Sequence, residues 1–156
     1  MTATHVLLFL HLLGAFCFFA GAAVAGTLQL AAIRSDRPSE VLALLRLTRV
    51  GVALVGAGAL MTLGFGTALA EQVGYGMSPA WIQAALGLWV ASMALGGWGG
   101  RTARHARHLA GRLAAEGDAP SEELRSLLRA RGPLWASYAS TLLLVAVVAL
   151  MVWKPA

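Results

Sequence analysis

From Val6 to Ile33 the chain interrupts its apolar residues only with His11, Thr27 and Gln29, and a run of that length and apolarity fits a bilayer better than any small water-soluble core. Three further runs follow, Val50 to Ala70, Ala80 to Gly100 and Leu134 to Trp153. In 156 residues that are 58% hydrophobic and 12% charged, nothing is left over to cover four such runs, so the solvent for most of the surface must be lipid. The first run has neither a basic leading segment nor a short apolar core. It is expected to be a membrane span and not a cleavable signal peptide.

The breaks between runs carry helix signals. Arg34 to Pro38 stops the first span, and Ser39-Glu40 offers a cap and a first-turn acid to the second helix. The second ends in Glu71-Gln-Val-Gly-Tyr-Gly-Met77, a glycine-rich turn with an interfacial aromatic, and Ser78-Pro79 reads as cap and first-turn proline of the third. No breaker follows until Gly117-Asp-Ala-Pro120, so the third helix is expected to project about four turns past the bilayer. On that projection Arg101, Arg104, His105, His108 and Arg112 share one stripe, and Ala106, Leu109, Ala110 and Leu113 share the other. A short amphipathic segment, Ser121 to Arg131, starts with Ser121-Glu-Glu-Leu, one residue off a capping box. Gly132-Pro133 is then expected to turn the chain into the last span. The expected fold is a single all-α domain, an integral membrane four-helix up-and-down bundle, with spans near 5–33, 41–70, 79–100 (extended to 116) and 133–153.

Charge sets the expected orientation. Eleven of the twelve basic residues fall in the two segments between spans one and two and between spans three and four. Only Lys154 lies opposite. By the positive-inside rule the basic segments are cytoplasmic and both termini face out, in a bacterial inner membrane. The net charge of +5 therefore points to anionic lipid headgroups along the basic helix and not to nucleic acid.

Small residues recur where helices should meet. Gly58, Thr62, Gly66 and Ala70 in the second helix and Ser92, Gly96 and Gly100 in the third follow a four-residue rhythm, and Gly14 and Gly21 share a face of the first. Cys17 is the lone cysteine, which excludes an intrachain disulfide and a cysteine metal cluster. The spans hold no chain of carboxylates for a proton pump, and no phosphate loop, metalloprotease motif or nucleophile triad occurs.

His11 is the residue that needs an explanation, since an ionisable group about 10 Å into a span must be paired, solvated or bound. One reading makes it a ligand for haem iron or copper, with Lys154 near the same level to meet porphyrin carboxylates. The other makes it a tie to a neighbouring helix through Gln83, Ser137, Tyr138, Ser140 or Thr141. No histidine lies in spans two, three or four, and His5 is expected at the interface, so a haem would be five-coordinate or would recruit Met61, Met93, Met151, a lysine or a water.

Phe9-Leu-His-Leu-Leu-Gly-Ala15, Trp98-Gly-Gly-Arg101, Leu124-Arg-Ser-Leu-Leu128 and Leu150-Met-Val-Trp-Lys-Pro155 together resemble, over essentially the whole chain, the bacterial integral membrane proteins of domain of unknown function 2269. More distantly, a first-helix histidine with glycine three residues on, His11 and Gly14, and the terminal Lys154-Pro155 are similar to four-helix membrane protoporphyrinogen oxidases and to the membrane domain of copper-resistance protein D. The resemblance implies haem b at a site including His11, Gly14 and Lys154, with His11 as the metal ligand. It gives Lys154 no catalytic role, because the terminal Lys-Pro is not the oxidases' catalytic lysine, and their further polar residues in mid-bundle have no counterpart here. The functions expected are thus a small haem-binding membrane protein of redox or tetrapyrrole type, an accessory subunit of a larger membrane complex or homo-oligomer, or copper handling.

Overall fold

The computed structural model describes residues 2–154, and every regular element among them is helical: α1 (Ala3–Arg34), α2 (Pro38–Gln72), α3 (Ala80–Ala115), α4 (Glu122–Leu128) and α5 (Arg131–Trp153). Four segments are long and apolar enough to cross a membrane, carried by α1, α2, α3 and α5. The chain is an all-α protein with four membrane-spanning helices, the fold class its sequence implies. Large apolar side chains point outward, Phe16 at 79% exposure and Leu60 at 75%, while Ala59, Ala85, Ser92, Ala136 and Ser140 are buried. Big outside and small inside is the arrangement that lipid permits and water does not.

Contacts divide the chain into two units, residues 1–30 with 46–78 and residues 31–45 with 79–156. In the first, α1 and α2 run antiparallel in backbone contact. Gly21 meets Gly51, and Gly14 meets Met61 and Thr62; a methyl on Gly21 would stand 2.5 Å from the Gly51 carbonyl oxygen, and one on Gly14 2.7 Å from the Thr62 nitrogen. Gly58 closes on the backbone of Gly14 and Phe18. The neighbour expected for the Gly14 and Gly21 face is therefore α2, and the four-residue ladder of α2 is part of its partner surface. Past Gln72 the chain leaves the helix through Gly74 and Gly76, both at positive φ (84° and 60°), whose turn returns the Tyr75 and Gly76 amides to the Ala70 carbonyl.

In the second unit the transmembrane part of α3 packs on α5. Ser92 and Ser140 donate hydroxyls to each other's helix backbone at 3.1 and 3.0 Å and sit 2.8 Å apart, so two buried polar groups are satisfied by one reciprocal pair. The ladder continues to Gly96, facing Ser140, and then to Gly99, facing Pro133 and Ser137. Gly100, expected on this face, has nothing near it. A strict four-residue step drifts about 40° per repeat off a 3.6-residue helix, and the step of three to Gly99 corrects the drift.

At the basic end the same unit builds a core by the rules of water-soluble proteins. Ala32 of α1, Val41 and Leu45 of α2, Ala106, Leu109 and Ala110 of α3, and Leu124 and Leu128 of α4 are all buried together. The apolar stripe of the α3 projection thus faces protein, and Arg101, Arg104, His105, His108 and Arg112 face out, as the two-stripe reading requires. Ser39 is not the cap of α2: the helix already starts at Pro38, and the cap comes from 79 residues away. The Asp118 carboxylate accepts the Ser39 amide at 2.7 Å and the Ser39 hydroxyl at 2.6 Å. Asp118 itself follows Gly117 out of α3, both at positive φ (59° and 119°), and its amide binds the Leu113 carbonyl. Arg125 of α4 binds Asp36 at 2.9 Å and Glu122, staples on the surface of this core.

Other boundaries also differ from expectation. Pro79 occupies the capping position of α3, which starts at Ala80. Ser121 does cap α4, accepting the Leu124 amide, but α4 stops at Leu128. The turn into the last span falls at Arg129-Ala130, and Gly132-Pro133 lies in the first turn of α5, where a proline's missing N–H has no helical acceptor to lose.

Two predictions follow from these contacts. Gly21→Ala should destabilise the detergent-solubilised protein by about 1–3 kcal/mol, the range for overpacking, whereas Gly56→Ala, in open space, should be neutral or raise stability by roughly 0.5–1 kcal/mol; thermal unfolding of both variants checks this. The two Ser39 hydrogen bonds hold the Asp118 carboxyl below its ordinary 3.8, hydroxyl first and amide second. Because the folded value is the lower one, this contribution is present above pH 3.8 and is lost as pH falls through the folded value. Unfolding temperatures of wild type and Asp118→Ala should differ at neutral pH and converge in acid.

Candidate functional site

His11 stands two turns from the start of α1, on the face that meets α2. Its Nδ1 lies 2.9 Å from the main-chain carbonyl oxygen of Thr62, and because a carbonyl only accepts, Nδ1 carries the proton and donates it. In the neutral form of the ring this contact selects the Nδ1–H tautomer, which leaves the lone pair on Nε2. The tie to a neighbouring helix is made to α2, where Nδ1 meets the main-chain carbonyl of Thr62 and not one of the side chains expected for it. Ser137 and Thr141 bind carbonyls of their own helix, at Pro133 and Ser137, and Ser140 is taken by Ser92. Tyr138 stacks edge-on against Trp135.

The ring reaches that carbonyl because Gly66 has no side chain. A methyl there would stand 2.8 Å from Nδ1 and 2.9 Å from Cε1, directly in the place of the imidazole. Gly14, one turn along α1, brings the two backbones close enough for the reach, and its space is bounded by Met61 and the Thr62 hydroxyl. That hydroxyl is buried and makes no hydrogen bond among the described residues. His11, Gly14, Thr62 and Gly66 thus form one seat on the α1–α2 seam. Thr62 and Gly66 are its unexpected members. The sequence displayed them as rungs of the α2 ladder, and only pairing that ladder with the histidine-bearing face of α1 turns a packing glycine into a socket.

The remaining site candidates divide between the two units. Lys154 closes α5 in the other unit at positive φ (42°), its ammonium 5.9 Å from the centre of the Trp81 ring. Pro155, the second half of the terminal Lys-Pro, lies outside the described residues. Among the methionines, Met61 shares the unit of His11, and Met93 and Met151 belong to the other. His5 is exposed and paired with Thr2, and His105 donates from Nδ1 to the Arg101 carbonyl on the basic projection. Among the described residues no three His, Cys, Asp or Glu side chains gather where they could share a metal ion.

Residues 5–155 match the protein family described as Predicted integral membrane protein (DUF2269). The chain belongs to that family. The match spans all four membrane helices of this DUF2269 protein and the seat of His11 with them. No curated protein and no solved structure matches it. The more distant likenesses, to protoporphyrinogen oxidases and to copper-resistance protein D, are not shown by these comparisons.

The seat predicts a spectroscopic signature. In ¹⁵N NMR of the protein labelled at histidine, the neutral His11 ring should report a protonated Nδ1 and a bare Nε2, and Gly66→Ala should abolish that state by evicting the ring. An Nε2–H tautomer in the wild type would refute the assignment.

Proposed function

We propose that this integral membrane protein holds haem b, with His11 as the one axial ligand supplied by a histidine. The observation that carries the proposal is the orientation of the ring: a histidine whose Nδ1–H is spent on a backbone carbonyl presents a more basic Nε2 in a fixed direction, the usual condition of a metal-ligating histidine. The donor set favours haem over copper. A porphyrin brings four nitrogens and asks one ligand of the protein, while a copper site built from side chains alone needs a cluster of donors, and among the described residues no group of three His, Cys, Asp or Glu gathers around His11. Met61, the methionine that borders Gly14 in the same unit, would be a second ligand to the iron. Bound haem would supply one-electron chemistry; the protein's part is to fix the ligand, at a depth of roughly 10 Å, in an apolar surrounding that tunes the potential. The distribution of arginines supports a bacterial inner-membrane location with the basic core on the cytoplasmic side and the seat in the outer half.

The test is the visible spectrum of protein purified in mild detergent from haem-sufficient cells, oxidised and then dithionite-reduced. A stoichiometric b-type spectrum is expected, lost in His11→Ala and reduced at least about tenfold in Gly66→Ala, the scale set by losing a ligand's orienting contact. A colourless wild type, or a band that survives His11→Ala in a folded protein, would sink the proposal.

A further inference from the structure

Along α5, Arg131, Leu134, Trp135 and Tyr138 follow one another at intervals of three, one and three residues, which puts them on one face of the helix. They line a shallow groove of about 330 Å³. This face is turned away from α3, against which α5 buries Ala136, Ser140 and Leu144. Its aromatic wall is prearranged: the Trp135 and Tyr138 rings meet edge to face at 6.4 Å, and both are largely exposed. Next to Arg131 in the chain, Gly132 leaves room for Trp98 of α3, whose ring comes within 3.5 Å of where a side chain would start. Neither α3 nor α5 contains an acidic residue, and Arg131 at the first position of α5 is exposed. A cation at the helix start, apolar and aromatic side chains over the next two turns, and a depth of about 10 Å between Arg131 and Tyr138 match the upper part of one lipid molecule.

We infer that this stripe is a binding site for an anionic glycerophospholipid, its phosphate on the Arg131 guanidinium and the head of one acyl chain along Leu134, Trp135 and Tyr138. Charge selects the class of lipid, since a zwitterionic headgroup carries a cation of its own that Arg131 repels. The aromatic wall selects a lipid over free phosphate, because the ion alone leaves the groove unfilled. The site is distinct from diffuse attraction along the α3 projection, whose exposed arginines stand opposite the buried Ala106, Leu109 and Ala110.

Native mass spectrometry of the full chain in neutral detergent, with phosphatidylglycerol and phosphatidylcholine of matched chains added in turn, reads the preference directly. The wild type should retain the anionic lipid about tenfold more than the zwitterionic one, the ratio expected for one charge-assisted hydrogen-bonded contact. Arg131→Gln should erase the preference, Arg104→Gln should keep it, and Trp135→Ala should weaken retention of both lipids. A wild type without preference, an Arg131→Gln protein that keeps it, an equal loss in Arg104→Gln, or displacement of the lipid by equimolar inorganic phosphate would each overturn the site. If Arg131→Gln fails to fold, quenching decides on the unaltered Arg131. Brominated phosphatidylglycerol should quench an emission component present in the wild type and absent from Trp135→Phe, more strongly than brominated phosphatidylcholine, and equal quenching by the two would refute the inference.

Discussion

Lipid gives an apolar side chain no reason to turn inward, so two membrane helices hold together only as well as their surfaces touch. Everything in the α1–α2 unit depends on that. Gly14, Gly21, Gly51 and Gly58 remove the side chains that would keep the backbones apart, and dispersion over a long, close seam takes the place of the hydrophobic effect. The seat of His11 is a by-product of the same closeness. Only where α1 and α2 touch does an imidazole reach across to a carbonyl already engaged in its own helix, and only over a glycine is there room for the ring.

The third helix lives in two solvents. Within the bilayer it presents Ser92 and Gly99 to its partner and leaves Val90 and Trp98 outside; past Gly100 the preference inverts, with Ala106, Leu109 and Ala110 inside and arginines outside. The inversion needs no break in the helix. Backbone hydrogen bonding is indifferent to the medium, and only the facing of side chains answers to it. Where water returns, so do the devices of soluble proteins: a small aliphatic core, the carboxylate cap of Asp118 on α2, and an arginine that ties α4 to the loop between α1 and α2.

Much of this was legible in the sequence, because apolar length and arginine placement are strong signals in a membrane protein. The four spans, the projection of α3 and its two stripes follow from counting residues. What escaped were relations across the chain. Ser39 looked like a local cap, and the carboxylate that performs the capping is set by a loop far downstream. Gly100 fitted the rhythm better than Gly99, because a rhythm of four ignores the fractional turn. His11 was visible as an oddity, but its partner is a main-chain carbonyl, and every residue has one, so no side-chain pattern marks Thr62. The family relationship covers the chain and supplies no chemistry. The chemistry proposed for His11 therefore rests on its tautomer and its socket.

The remote cap of α2 has a consequence for biogenesis. Synthesis proceeds from the amino end, and the α1–α2 seam lies wholly within the first half of the chain, free to close as soon as both helices are in the bilayer. The beginning of α2 is different. The Ser39 amide waits for Asp118, and the core beneath it waits for Leu124 and Leu128, so the membrane half of α2 can settle while its aqueous half is still unfinished. One continuous helix is completed in two instalments, its later residues first.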